Sequence, residues 1–215
     1  MPPPIPTSIL RLVHIDNLPV CLARGGLYAP NNTPADGLIY RTIHNVNVQA
    51  RRAEYQIPCG PGGVIHDYVA FYFGPLSPMM LQLTTGQVDG YYDGQDPLIY
   101  FVSTVQAVQA AGAGFAFSDG HGIKRITSWS NDLQRLDRID WDTVGLRYWR
   151  DTIDDMDRQR RKQAEFLVHG FFDWALVDEI VVISEEIRAR VDQILTNHPL
   201  GLRKPISIRR GWYYR

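Results

Sequence analysis

Short apolar runs alternate with turn-rich breaks along the whole chain. After an extended, proline-rich lead over residues 1–7, the run from Ser8 to Ile15 predicts a strand. Asp16 follows as an N-cap, with Leu18 and Leu22 four apart on one helical face, and Gly25-Gly26 stops that helix. Residues 29–37 form a loop rich in Pro, Asn and Gly. Asn47 to Gln56 predicts a short, polar, Arg-rich helix ahead of the break Pro58-Cys59-Gly60-Pro61-Gly62-Gly63. Tyr68 to Phe73 is an unbroken apolar and aromatic run, the mark of a buried strand, stopped by Pro75 and Pro78. Residues 84–97 read as a loop.

The second half continues in the same style. Leu98 to Val102 predicts a strand, and Ser103 caps a helix through Ala111. Phe115 to Phe117 leads as a strand into Ser118-Asp119-Gly120-His121-Gly122. Residues 130–149 predict a helix with Trp141, Val144, Tyr148 and Trp149 on one face. Ala164, Phe166 and Val168 alternate with Gln163, Glu165 and Leu167, as in a strand with two distinct faces. Ile180 to Ile183 is a buried strand. Ser184 then caps a helix carrying Ile187, Val191, Ile194 and Leu195, ended by Asn197-His198-Pro199. Ile206 to Tyr214 predicts a closing strand. No repeat and no separating linker interrupts the pattern, so residues 1–215 read as one domain. Strands and helices mix without a strict βαβ rhythm, which makes the class α+β.

Composition narrows the classes. At 215 residues, one hydrophobic core suffices without covalent staples. Apolar residues at 45% and charged residues at 21% exclude a disordered, collagenous or coiled-coil chain. Two cysteines, Cys21 and Cys59, exclude a disulfide scaffold and the Cys-rich zinc modules. No apolar run is long enough for a bilayer, and the N-terminus has neither a basic n-region nor a hydrophobic h-region. The expectation is a soluble, cytoplasmic protein, with nothing that demands an oligomer.

The net charge of −1 excludes a polycation, but the basic residues cluster. One group is Arg158, Arg160, Arg161 and Lys162. A second is Arg203, Lys204, Arg209, Arg210 and Arg215, in a tail without a single acid from Gly201 onward. For the first group two readings stand side by side: a track for phosphates, or a solvated face paired with the aspartates between 151 and 157.

Familiar catalytic motifs are absent. No glycine fingerprint of a Rossmann fold or P-loop occurs, and neither do HExxH, GxSxG or paired CxxC motifs. Asp119-Gly120-His121 reads first as a turn, and no metal site is indicated. The costly residue is Glu165, a carboxylate in mid-strand that must be exposed on an open face, paired, or functional. Pattern alone favours exposure. Arg51-Arg52 and His121 are further candidates, because they lie in or beside glycine-punctuated loops.

Several segments, taken in order, carry a family resemblance. They are His14-Ile15-Asp16-Asn17-Leu18, Gln49-x-x-Arg52, Gly62-Gly63-Val64-Ile65-His66-Asp67-Tyr68-Val69 running into Phe71-Tyr72-Phe73-Gly74-Pro75-x-Ser77-Pro78-Met79, the Asp119-Gly120-His121 loop, Lys162-Gln163-Ala164-Glu165-Phe166-Leu167-Val168, and the terminal Trp212-Tyr213-Tyr214. The set resembles DarT, the DNA ADP-ribosyltransferase toxins of bacterial toxin–antitoxin pairs, over nearly the whole chain. The resemblance implies an ADP-ribosyltransferase fold with a split, mostly antiparallel sheet and surrounding helices. It implies NAD as co-substrate without a metal, single-stranded DNA as acceptor (at thymidine in the nearest branch), and a macrodomain antitoxin as partner. An ADP-ribosyltransferase acting on RNA or protein, or a non-catalytic nucleic-acid-binding module, are the alternatives.

The resemblance also implies roles. Glu165 matches the catalytic glutamate, Arg52 an arginine beside the reacting groups, and His121 a histidine of the substrate-side loop. Arg51 is adjacent to Arg52, and a shift of one residue exchanges them. His14 and Asn17 fall in the NAD-binding segment. Arg11 stands where the family often has histidine, and NAD is its implied ligand. Tyr72 and Met79 match positions near the cleft, with core packing an equal account of Tyr72. Arg158, Arg161, Lys162, Arg209 and Arg210 would follow DNA phosphates. Trp212, Tyr213 and Tyr214 would stack on bases or close the core.

Overall fold

The structure, a computed structural model, describes residues 1–198 and 203–214. The expectations that involve Pro199, Gly201 and Arg215 lie outside the described residues.

An eight-stranded sheet organises the chain. Its strands are β1 (Ser8–His14), β3 (Tyr68–Tyr72), β4 (Leu98–Thr104), β5 (Phe115–Ser118), β6 (Trp129–Ser130), β7 (Glu165–His169), β9 (Glu179–Val182) and β10 (Ile206–Ile208). They lie in the order β10-β9-β4-β1-β3-β7-β5-β6. All pairs are antiparallel except β9–β10. Two further strands, β2 (Gly26–Tyr28) and β8 (Phe171–Asp173), form a separate ribbon. The helices are α1 (Leu18–Ala23), α2 (Val46–Glu54), α3 (Pro78–Thr84), α4 (Val105–Ala110), α5 (Trp141–Gly145), α6 (Arg158–Arg161) and α7 (Glu185–Asn197). The α+β class and the mostly antiparallel sheet agree with the sequence reading.

The period of two explains how the sheet is covered on both faces. One face carries Ile9, Phe71, Phe101, Phe166, Val168 and Ile180 against the apolar stripes of α1, α4 and α7. Alternate residues, Leu10, Leu12, Tyr100 and Val181, pack against Met80 and Leu83 of α3 and against Tyr213. Farther along, Tyr68, Ala116 and Leu167 form a third cluster with Ile57, Ile65 and Ile123. Glu165 shares the face of Leu167, two residues on.

Several local expectations differ. His14, not Asp16, caps the turn after β1: its Nδ1 accepts the Asp16 N–H at 3.1 Å, and a 3-10 turn over Ile15–Asn17 precedes α1. Thr104 rather than Ser103 caps α4, because its hydroxyl reaches the Ala107 N–H. The helix predicted over 130–149 is two short pieces, a 3-10 helix at Leu133–Arg138 and α5. Side-chain caps break the stretch: Asp132 accepts from Gln134 N–H and Asp140 from Thr143 N–H. Trp141, Val144 and Trp149 are buried, but Tyr148 is exposed. The closing strand stops at Ile208, and Arg210–Trp212 turns as a 3-10 helix.

The tail aromatics close the core. Tyr213 donates to the Leu98 and Val181 carbonyls, and Tyr214 donates to the Leu76 carbonyl at 2.6 Å. Among the described residues, no helix is long and apolar enough to cross a membrane.

Candidate active site

The sheet parts where the site lies. β4 follows β1 along its whole length, whereas β3 meets β1 at a single pair, Leu10↔Tyr72. Beyond that pair the Arg11 guanidinium enters the gap and donates to the Ala70 carbonyl at 2.9 Å. A cavity of about 880 Å³ opens at this split. Its walls come from the segment 40–45, α2, β3, the start of α3, the loop 121–126 and residues 151–163.

Glu165 begins β7 opposite Tyr72 of β3. It is 2% exposed, which overturns the expectation of exposure on an open face. The reason is a partner from a distant part of the chain. Arg52, in the last turn of α2, donates from Nη1 to Glu165 Oε1 at 2.8 Å and to Oε2 at 3.1 Å. Asn45 fixes the start of that helix by accepting from Asn47 N–H and Val48 N–H. Of the two arginines, Arg52 is buried against the carboxylate, and Arg51 is exposed at the cleft. Burial alone would lower the Arg52 pKa, but the Glu165 carboxylate outweighs it and holds it above the usual value. The Tyr72 hydroxyl is pushed well up by burial and by Glu165. It stays neutral.

The loop after β5 is tied to the backbone of the same residue. The Glu165 N–H donates to Ser118 Oγ at 3.3 Å, and Ser118 Oγ donates to the Gly120 carbonyl at 2.7 Å. The His121 N–H donates to the Arg160 carbonyl at 2.9 Å. A Cβ at Gly120 would lie 2.9 Å from the Arg160 carbonyl oxygen, so glycine lets these two backbone segments meet. The Arg160 guanidinium grips Asp157 through two 2.7 Å bonds and Asp119 through a third of the same length. His121 faces the cavity with its buried Nδ1 unpartnered. Burial lowers its pKa against the pull of Glu165, which leaves a neutral imidazole at pH 7.

Of the residues singled out in the sequence, Arg11, Asn17, Arg51, Arg52, Tyr72, Met79, His121 and Glu165 line this one cavity. His14 does not: it is 3% exposed and lies outside the cavity among Asp16, Arg41 and Asp93. Asn17 lines the wall, yet its amide is engaged with backbone, donating to the Arg41 carbonyl and accepting the Arg41 N–H.

Most of the expected phosphate contacts are engaged within the protein, whereas Arg210 is exposed. Lys162 is 3% exposed and donates to the Val144 and Leu146 carbonyls at 2.6 and 2.8 Å. Arg158 and Arg161 both pair with Asp155, and Arg161 lies 3.4 Å from Asp140 as well. Arg209 pairs with Glu179 and stacks on Trp212; neither it nor Arg210 lines the cavity. Exposed cations at the cavity wall are Arg41, paired with Asp16 and Asp93, and Arg51 and Lys124, with Arg125 next to Lys124; none of these last three pairs with a carboxylate among the described residues.

Sequence reasoning missed His44, Thr42 and Gln82 on this wall. Gln49 and His66, which carried part of the resemblance but received no role, also line it, joined by a 3.0 Å hydrogen bond. The three-residue spacing from Gln49 to Arg52 on a helix is the signal that could have found Gln49. His44 gives no such signal, because its position depends on how the loop before α2 folds back.

The residues fit a dinucleotide. The volume lies within the range of small-molecule sites, about 300–1,000 Å³. Buried, unpartnered Arg11 Nε and His121 Nδ1 offer polar contacts, and Arg11 and Arg51 bring positive charge to the wall. No cluster of metal-ligating side chains occurs among the described residues.

A split antiparallel sheet with a buried, arginine-held glutamate at the head of a cleft strand is the frame of an ADP-ribosyltransferase, an enzyme that transfers ADP-ribose from NAD. A family model described as "ssDNA thymidine ADP-ribosyltransferase, DarT" matches residues 10–214, and the chain belongs to that family. A DNA ADP-ribosyl transferase of Thermus sp. (strain 2.9) is 40% identical over 211 residues, 98% of each chain. The structure of Thermus sp. 2.9 DarT in complex with ADP-ribosylated ssDNA superimposes with a TM-score of 0.91 at 39% identity, covering 98% of each chain. The structure of Thermus sp. 2.9 DarT in complex with NAD+ gives a TM-score of 0.87 at 39% identity, covering 98% of this chain and 99% of that one.

Proposed function

We propose that the cavity at the sheet split holds NAD and that Glu165 and Arg52 drive transfer of its ADP-ribosyl group to thymidine in single-stranded DNA. The buried Arg52–Glu165 pair at the cavity wall carries this reading. Cleaving the nicotinamide–ribose bond sends the bonding electrons to nicotinamide and leaves an oxocarbenium-like ribosyl carbon, as in glycoside hydrolysis. A fixed carboxylate that grips a ribose hydroxyl stabilises that developing positive charge. Glu165 meets the need, because Arg52, the strand and the Ser118 bond leave it one position.

Thymine N3 forms the new bond to the ribosyl carbon and loses its proton. Glu165 is the carboxylate placed to accept that proton, and Arg52 offsets the charge on the deprotonated base. His121 is neutral and lines the cavity, and its role is to donate or accept a hydrogen bond at the base edge. A base must leave its stack before N3 is reachable, which favours a single strand over a duplex. The exposed cations Arg51, Lys124 and Arg125 are the phosphate contacts.

Beyond chemistry, the reading extends to a monomer, residues 1–215 working as one domain in the cytoplasm. It includes a toxin whose DNA mark a macrodomain antitoxin removes. The family supports these last points rather than any contact in the chain.

Intact-mass analysis of a mixed-sequence single-stranded oligonucleotide, incubated with NAD and this protein, tests the reading. A gain of one ADP-ribosyl unit, lost with Glu165→Gln, supports it. Labelling of RNA or protein in place of DNA would overturn the acceptor, and no transfer to any of the three would overturn the enzyme's assigned reaction.

A further inference from the structure

Asn17, His14 and Arg41 raise a question that the reaction chemistry does not answer. Two of them fall in the segment expected to touch NAD, yet their side chains are engaged with protein. What they hold is the strap over residues 33–45, which runs from the ribbon strand β2 to the cap of α2. Thr33 and the run from Tyr40 to Asn45 of this strap line the cavity, Arg41 included.

Two sets of ties fix it. At its start, Arg24 donates to both Asp36 carboxylate oxygens and to the Leu38 carbonyl, and lies over the Tyr40 ring. At its end, Arg41 is held from three sides. The Asn17 amide makes a pair of hydrogen bonds with the Arg41 backbone, at 2.6 and 2.9 Å. The guanidinium donates to Asp16 at 2.8 Å and also to Asp93. His14 sits beneath both acids, with Nδ1 3.3 Å from Asp16 Oδ2 and Nε2 3.3 Å from Asp93 Oδ2. Asp93 itself lies outside the cavity, in the loop that follows α3.

We infer that Arg41, clamped by Asp16 and Asp93, is a positioning residue that holds the strap in its NAD-binding arrangement, so that Asp93 sets NAD affinity without touching NAD. The inference rests on the proposed binding of NAD in this cavity. Only part of a strap freed from the clamp would be in the competent arrangement, and apparent affinity falls by that fraction. Chemistry would be spared, because Glu165 is held by Arg52 and Ser118, none of which belongs to the clamp.

The test uses a carbocyclic NAD analogue whose glycosidic bond cannot break, together with steady-state transfer to single-stranded DNA. Asp93→Asn should weaken analogue binding and raise the KM for NAD about tenfold, with kcat at saturating NAD and the melting temperature close to wild type. Arg41→Ala should do the same, and the double variant should be no worse than Arg41→Ala alone, because both remove one clamp. Asp16→Asn provides a second, more exposed disruption if Asp93→Asn folds poorly. Wild-type affinity in both aspartate variants would overturn the inference. So would additive losses in the double variant, which would make Arg41 a direct NAD contact, or a fall in kcat at unchanged KM. Failure of the wild-type protein to bind the analogue is a different result: it would remove the NAD-cavity reading itself.

Discussion

Two regions of this protein use the same residue types to opposite ends. Arg52 and Glu165 form a buried pair whose side chains are 9% and 3% exposed. A few residues before β7, the stretch 151–161 forms a lattice in which Arg158, Arg160 and Arg161 meet Asp155, Asp157, Asp119 and Asp140. The buried pair is desolvated at the cavity wall, and among the described residues neither side chain forms an ion pair with any other group. The lattice is partly hydrated and neutralises itself. A charge becomes chemically useful where the fold removes water and competing ions, and it becomes structural where both remain. A cluster of arginines in sequence is therefore a poor guide to a phosphate track when aspartates lie within reach.

Glu165→Gln should separate the two regions most sharply. It keeps the size and one acceptor, yet transfer to DNA should fall by about a thousandfold or more, read by intact mass with saturating NAD. Retention of rate would remove Glu165 from the catalytic role. Arg52→Ala leaves a buried carboxylate alone and should cost about 3–5 kcal/mol in urea unfolding, whereas Arg158→Ala should cost less than about 1 kcal/mol. Equal costs would erase the distinction drawn between pair and lattice.

Lys162 is a third case, a buried cation held by carbonyls rather than by an acid. Burial pushes its pKa down to about 8 from 10.5. Between those two values the unfolded chain binds more protons than the folded one, so wild-type stability should rise with pH relative to Lys162→Met. The gain is present in full above about 10.5, is lost as pH falls through about 8, and amounts to about 3 kcal/mol. Denaturation curves for both proteins between pH 7 and 10.5 would show it, and a constant difference would contradict it.

Arg160→Ala cuts the tie between Asp119 and Asp157 that steadies His121. It should lower transfer by about tenfold while NAD hydrolysis without DNA changes little, since the Arg52–Glu165 pair is untouched. The smallest effect concerns salt. DNA affinity should fall with rising salt, and Lys124→Ala should reduce that slope by about one while Arg161→Ala leaves it unchanged. A reversed ranking would restore the lattice as the DNA track.

How much of this was legible can be read from particular residues. Apolar runs and period-two alternation fixed β3, β4, β7 and β9 to within a residue or two. Ser184 marked the start of α7, and its hydroxyl does cap Ile187. The stretch 130–149 misled because apolar spacing alone is blind to the competing Asp132 and Asp140 caps. In the site, the ordered family segments brought Glu165, Arg52 and His121 forward, and the cavity gathers all three. The same segments brought forward His14, which the fold places behind the strap.

The chain by itself determined the α+β class, the main strands and the presence of one costly carboxylate in a strand. Those follow from local pattern, since alternation and capping act over a few residues. Only the tertiary structure decided that Glu165 is buried, that Arg52 rather than Arg51 faces it, and that Lys162 and its neighbouring arginines serve the protein's own carbonyls and aspartates. Each depends on a partner far away in sequence, such as the 113 residues between Arg52 and Glu165. Burial and pairing over such separations are set by how the strands and helices pack, and no short window of sequence contains both sides of the contact.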